Sequence, residues 1–169
     1  MRFSKKPRHY STWRLMLEIP NFKTLTIEHI VCDYNGTIAR DGIVLPEIKA
    51  LFDQLCQRYT LHVITADTFG SVKAQLEGYG AQIKILSSGD HTQEKADFVR
   101  ELGADSCIAI GNGNNDALML ETAAIGIALM GDEGCSKDTL LSADVICKSI
   151  TEALSLVLKT KRLIATLRR

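Results

Sequence analysis

Four short stretches carry residue types able to do chemistry. They are Asp33-Tyr34-Asn35-Gly36-Thr37, Val63-Ile64-Thr65-Ala66-Asp67, Lys95 within Gln93-Glu94-Lys95-Ala96-Asp97, and Gly111-Asn112-Gly113-Asn114-Asn115-Asp116. Phosphoryl transfer to a protein carboxylate needs parts of these kinds. One carboxylate attacks phosphorus in line, and a divalent cation shields the converging anions. A lysine and a hydroxyl hold the equatorial oxygens as charge redistributes. Glycines let backbone amides come close to the phosphate. By type, Asp33 supplies the nucleophile, Thr65 the hydroxyl, Lys95 the cation and Asp116 a carboxylate on the metal side. Every candidate donor is an oxygen, so Mg²⁺ is the natural ion. Taken singly each residue also has an ordinary reading: Asp33 as a turn cap, Thr65 as a strand end, Lys95 as a solvated helix lysine.

The elements that must position these residues alternate. Apolar or β-branched runs over 24–32, 61–65, 83–86, 106–110, 125–129 and 144–147 predict strands. Helical spacing predicts helices over 46–59, opened by Pro46, and over 68–77, stopped by Gly78 and Gly80. Further helices are expected over 93–102 with Thr92 as cap and Gly103 as stop, over 116–123, and over 150–167 as one long amphipathic segment. Arg40-Asp41-Gly42 inside 38–44 signals a hairpin. This alternation implies an α/β, three-layer, Rossmann-like fold with a mostly parallel central sheet. Ligands of such sheets bind beyond the carboxyl ends of the strands, where Asp33, Thr65 and the 111–116 cluster fall.

Composition excludes other classes. Apolar residues make up 46% and charged residues 24%, a globular balance, and no apolar run reaches membrane-spanning length. Twenty basic and twenty acidic side chains cancel, so no global drive toward nucleic acid or an anionic membrane exists. Five cysteines, with no C-x-x-C pair, fit a reducing cytoplasm better than a disulfide framework or a zinc site. Gly111-x-Gly113 lacks the third glycine of a dinucleotide loop, and His9, His29, His62 and His91 show no metal-pair spacing. Residues 1–16 form a basic extension (Arg2, Lys5, Lys6, Arg8, Arg14, no acid before Glu18), and 17–169 form the domain.

The motifs, in this order, resemble those of the haloacid-dehalogenase (HAD) superfamily, and most closely the phosphorylation domain of P-type ATPases and its small soluble relatives. Asp33…Gly36-Thr37 is similar to the phosphorylated-aspartate motif, Thr65-Ala66-Asp67 to Thr-Gly-Asp, and Gly111–Asp116 with Ala117-Leu118 to Gly-Asp-Gly-x-Asn-Asp. Gly126-Ile127-Ala128 and Ala143-Asp144-Val145 continue the likeness, which covers roughly 24–150. The resemblance implies a phospho-aspartate on Asp33 and phosphate contacts from Gly36, Thr37, Ala66 and Asn115. It implies a Mg²⁺ site built from Asp33, the Asn35 carbonyl, Asn112 and Asp116. The intervals 37–65 and 65–95 are filled by helices and strands, so no cap domain is expected. An uncapped cleft suits a phosphorylated small molecule or phosphoprotein, with a neighbouring subunit as one means of closing it.

Two positions depart from the family pattern. Asn35 stands where family phosphatases commonly have the acid that protonates the leaving group, and an amide cannot deliver a proton. Asn112 stands where the family has a metal-ligating Asp, and it keeps an oxygen donor without the charge. Both precede glycine, a pair prone to deamidation, which would restore a carboxylate. The two asparagines keep an alternative open: a catalytically impaired domain that binds phosphate or a partner in a regulatory role.

Overall fold

The computed structural model describes residues 16–67, 70–87 and 89–169. Apart from Met16, the basic extension lies outside the described residues. The domain opens on an antiparallel hairpin, β1 (Met16–Ile19) and β2 (Lys23–Thr26), with Leu17 opposite Leu25 and both turned inward. The single strand expected over 24–32 is therefore two strands. Thr24–Thr26 pair back onto β1, whereas β3 (His29–Asp33) pairs with strands far downstream. A run of β-branched residues marks extended chain but not the point at which it changes partner.

After β3 a short hairpin, β4 (Ala39–Arg40) and β5 (Ile43–Val44), turns through Asp41 and Gly42, both at positive φ (51° and 77°). This is the mirror-image turn that suits the twist of hairpins. Pro46 opens a 3₁₀ turn that leads into α1 (Lys49–Leu55), which ends short of the expected Tyr59. Then come β6 (Thr60–Thr65), α2 (Ser71–Gln75) and β7 (Gln82–Ile85). The next helix, α3 (His91–Leu102), is capped by Asp90, whose carboxylate accepts from Gln93 N at 3.0 Å. The cap is thus two residues upstream of the expected Thr92, and the stop at Gly103 (φ 99°) is as expected.

β8 (Cys107–Gly111), α4 (Ala117–Thr122) and β9 (Ile125–Leu129) follow. An unanticipated helix, α5 (Lys137–Ser142), precedes β10 (Val145–Cys147). The long final helix is broken at Lys159 (φ −100°, ψ 65°) into α6 (Ile150–Leu158) and α7 (Thr160–Leu167). Its apolar spacing continues through the break, which is why periodicity alone reads one helix.

The main sheet is wholly parallel, in the order β10-β9-β8-β3-β6-β7. β3 is central and buried on both faces. Ile30 and Cys32 pack in a core with α1, α6 and α7, and Val31 packs in a second core with α3 and α4. Helices on both faces give three layers, and no inserted second domain interrupts the described residues. Among them no helix is long and apolar enough to cross a membrane.

Candidate active site

Parallel order sends β3, β6 and β8 out of the sheet at the same end, so Asp33, Thr65 and Gly111 finish side by side. Asp33 is only 8% exposed. Lys95 reaches it from α3, whose inward face presents Lys95, Ala96 and Val99. The Lys95 ammonium lies 2.7 Å from Asp33 Oδ1, 2.7 Å from Asp116 Oδ1 and 3.3 Å from Asn115 Oδ1. All three of its protons thus have acceptors, and the side chain is 2% exposed. This is a buried cation between two carboxylates rather than a solvated helix lysine.

Asp116 is fully buried, and both of its oxygens are engaged. Oδ1 takes Lys95, and Oδ2 accepts from Asn112 N and Gly113 N at 2.9 Å each. The carboxylate fits because Gly111 has no side chain: a Cβ there would lie 2.5 Å from the Asp116 carboxyl. The residue expected on the metal side thus also braces Lys95 and the backbone at 112–113.

Thr37 places its hydroxyl between two oxygens, 3.4 Å from Asp33 Oδ2 and 3.3 Å from Asn112 Oδ1. The tight turn beneath it is held by Gly36 N donating to Ala39 O, and it needs Gly36 at φ +76°. The Asn112 amide packs onto that glycine, so that a Cβ on Gly36 would sit 2.4 Å from Asn112 Nδ2. The amide orientation is set by Nδ2 donating to Gly134 O at 3.0 Å. Thr65 is buried, and its hydroxyl accepts from Asp67 N at 3.2 Å, which leaves its proton to donate. Asp67 ties the start of α2 through Val72 N at 2.8 Å. Asn35 and Ala66 are exposed on the rim.

Burial first, and then Asp116, push the Asp33 carboxyl up to about 7 against the opposing pull of Lys95. Burial works against the Lys95 charge, but Asp33 and Asp116 outweigh it and its pKa ends raised. The oxygens near Asp33 Oδ2 fit a hard divalent cation: one carboxylate, the Asn112 carbonyl and the Thr37 hydroxyl, with no nitrogen or sulfur among them. Among the described residues no cluster of three or more His, Cys, Asp or Glu gathers as a metal cage. A cation here would rest on few charged ligands.

Sequence reasoning missed the loop between β9 and α5 and the first turn of α5. Besides Gly134 O on the Asn112 amide, Ser136 N donates to Asn112 O at 2.9 Å, and Thr139 Oγ1 donates to Gly113 O. The same loop grips the β4–β5 hairpin through the Arg40–Asp132 ion pair and through Asp41 N donating to Glu133 Oε1 at 2.8 Å. Backbone carbonyls carry no sequence signal. The opposite charges of Arg40 and Asp132 were the one legible hint.

No protein-family model matches the chain. The uncharacterized protein MJ0073 of Methanocaldococcus jannaschii is 42% identical over 101 residues, which cover 57% of this chain and 99% of that protein. Among solved structures, the 3-deoxy-D-manno-octulosonate 8-phosphate phosphatase of Moraxella catarrhalis, in complex with magnesium, phosphate and KDO, is similar at TM-score 0.67 and 21% identity. The match covers 84% of this chain and 94% of that one. The cobalt-bound phosphatase of the same name from Haemophilus influenzae matches at TM-score 0.67 and 13% identity, over 80% of this chain and 89% of that one. A zinc-transporting PIB-type ATPase in its E2.Pi state matches at TM-score 0.59 and 21% identity, over 72% of this chain and 20% of the pump. At such identities the likeness is one of fold. The chain belongs to one family with MJ0073, and its fold is that of the HAD-superfamily hydrolases.

Proposed function

We propose that the protein is a Mg²⁺-dependent phosphohydrolase or phosphotransferase that works through a phospho-aspartate on Asp33. The observation that carries this reading is the Asp33 carboxylate, buried at the end of the central strand and held at 2.7 Å by a lysine that is itself buried. A surface ion pair would have no need of such burial. The fold shared with phosphatases crystallised with magnesium and phosphate, or with cobalt, supports it.

In this reading one oxygen of Asp33 attacks phosphorus, the bond to the leaving oxygen breaks, and that oxygen takes a proton from water. Water then cleaves the acyl phosphate and regenerates Asp33. Lys95 neutralises the equatorial oxygens, releasing its longest contact, to Asn115, to do so. Thr65 donates its hydroxyl proton to the phosphoryl group, and the amides around Gly36, Thr37 and Ala66 line its approach. Asp116 keeps Lys95 charged and in place. A bound Mg²⁺ would be held by Asp33, the Asn112 carbonyl and the Asn35 backbone carbonyl, and would supply charge neutralisation. The substrate is a phosphorylated small molecule or phosphoprotein entering an uncapped cleft, which a second copy of the chain closes. The compartment is the reducing cytoplasm, where the five free thiols persist.

The test is hydrolysis of an aryl phosphate with and without Mg²⁺. Turnover should require the ion and vanish in Asp33→Asn; turnover that survives this substitution would refute the nucleophile. A second reading, a phosphate- or partner-binding regulatory domain, is favoured by Asn35, an exposed amide two residues after Asp33 that has no acidic proton to transfer to a leaving group. It expects a phosphate mimic to bind with no turnover.

A further inference from the structure

Position 112 raises a question of charge. Its side chain lies beside Asp33 and shares the Thr37 proton with it, yet it is an amide. The structure gives a local reason. Gly134 O stands 3.0 Å from Asn112 Nδ2 and needs a donor there. A carboxylate at 112, itself buried, would set an oxygen against that carbonyl with no proton between them, and two facing acceptors are costly even where, as here, the contact is only part-buried. Gly36 lies against the same group and closes off that side. Conversion of Asn112 in place is also hindered, because the Gly113 nitrogen that would attack the side chain donates to Asp116 Oδ2 at 2.9 Å.

The consequence is electrostatic. The buried charges at the strand ends are Asp33, Lys95 and Asp116, which sum to one negative charge when all are ionised. A divalent cation alone would turn that into one positive charge in a buried site. A phosphoryl dianion alone would meet a single cation, Lys95, already engaged by two carboxylates. Bound together they return the site to one negative charge. Affinity for hard cations follows the charge count of the ligands, and here one carboxylate is all that faces the cation.

We infer that the β9–α5 loop holds residue 112 as a neutral amide, and that a divalent cation therefore joins this site only together with a phosphoryl anion. The coupling rests on the phosphohydrolase reading; the amide lock rests on geometry alone. Coupling of this kind is reciprocal: each ligand tightens the other by the same factor.

Calorimetry on the full chain reads the coupling with MgCl₂ alone, inorganic phosphate alone, and MgCl₂ in saturating phosphate. Mg²⁺ should bind at least tenfold more tightly with phosphate present, and the melting temperature should rise with both ligands but not with either alone. Mg²⁺ binding that phosphate leaves unchanged overturns the coupling while leaving the phosphohydrolase reading intact. Absence of any phosphate binding, with or without Mg²⁺, overturns both.

The lock is read without ligand. In chelator, Asn112→Asp should melt several degrees below the parent, and the Asn112 side-chain amide protons of the parent should exchange slowly with solvent by NMR. A variant that melts at or above the parent, or fast exchange of those protons, overturns the lock. The NMR reading does not depend on the variant folding.

Discussion

Lys95→Met is the sharpest test of how the site is held. The substitution keeps the apolar stem and removes the ammonium that sits 2.7 Å from both Asp33 Oδ1 and Asp116 Oδ1. Those two oxygens are then no more than about 5.4 Å apart with nothing between them. With both ionised their repulsion at an effective dielectric near 20 is about 3 kcal/mol, and proton uptake by Asp33, whose carboxyl already stands at about 7 beside Lys95, relieves part of it. Removing one partner of a buried ion pair typically costs about 3–5 kcal/mol, since a charge is left without compensation. For a domain of this size that corresponds to a melting temperature lower by roughly 6–20 °C. The assay is urea or thermal unfolding at neutral pH, without metal, of the parent, Lys95→Met, Asp116→Asn and the double variant. Adding Asp116→Asn to Lys95→Met should recover a large part of the loss, because it removes the stranded charge. The cycle should report a coupling well above the few tenths of a kcal/mol seen between independent sites. A Lys95→Met variant within about 1 kcal/mol of the parent, or a double variant with no recovery, would refute the picture of a buried, mutually neutralising triad.

Tyr59 carries a buried hydroxyl with no hydrogen-bond partner among the described residues, so Tyr59→Phe should raise stability by about 1 kcal/mol; a lower urea midpoint would contradict this. His62, 3% exposed and 3.1 Å from the His29 ring, is lowered by burial and then by His29 to about 4. The unfolded chain therefore takes up its proton first, and stability should fall as pH drops from about 6.5 toward 4, by up to about 3 kcal/mol, with no effect above that window. His62→Leu should flatten this acid limb, and an unchanged limb would assign it to other groups. Asn35→Asp should raise aryl-phosphate hydrolysis tenfold or more if a missing proton donor limits turnover; an unchanged rate would place the limit elsewhere.

Much of the fold was legible because its cues are local. β9 falls on the expected residues, the Asp41-Gly42 turn carries its own backbone signature, and the helix over 91–102 stops where glycine takes a positive φ. Other features were hidden because they depend on partners distant in sequence. The break between β2 and β3 exists because each pairs elsewhere. The cap moved from Thr92 to Asp90 because both residue types suit the position and only chain geometry chooses between them. α5 is a short segment whose apolar spacing is too brief to read.

The candidate site divides along the same line. Residue type and order identified Asp33, Thr65 and the 111–116 cluster as one set at the strand ends, with Lys95 near the start of a helix, because a parallel α/β pattern brings those ends together whatever the details. Only the tertiary structure decided what each does with its neighbours. It gave Lys95 two carboxylates, engaged both Asp116 oxygens with Lys95 and the 112–113 backbone, and set Thr37 between Asp33 and Asn112. It also supplied the Gly134 carbonyl that fixes residue 112 as an amide. The physical reason is that residue type sets which bonds a side chain can make, while strand order and loop path set which partner comes within 3 Å, and a backbone carbonyl is the same on every residue.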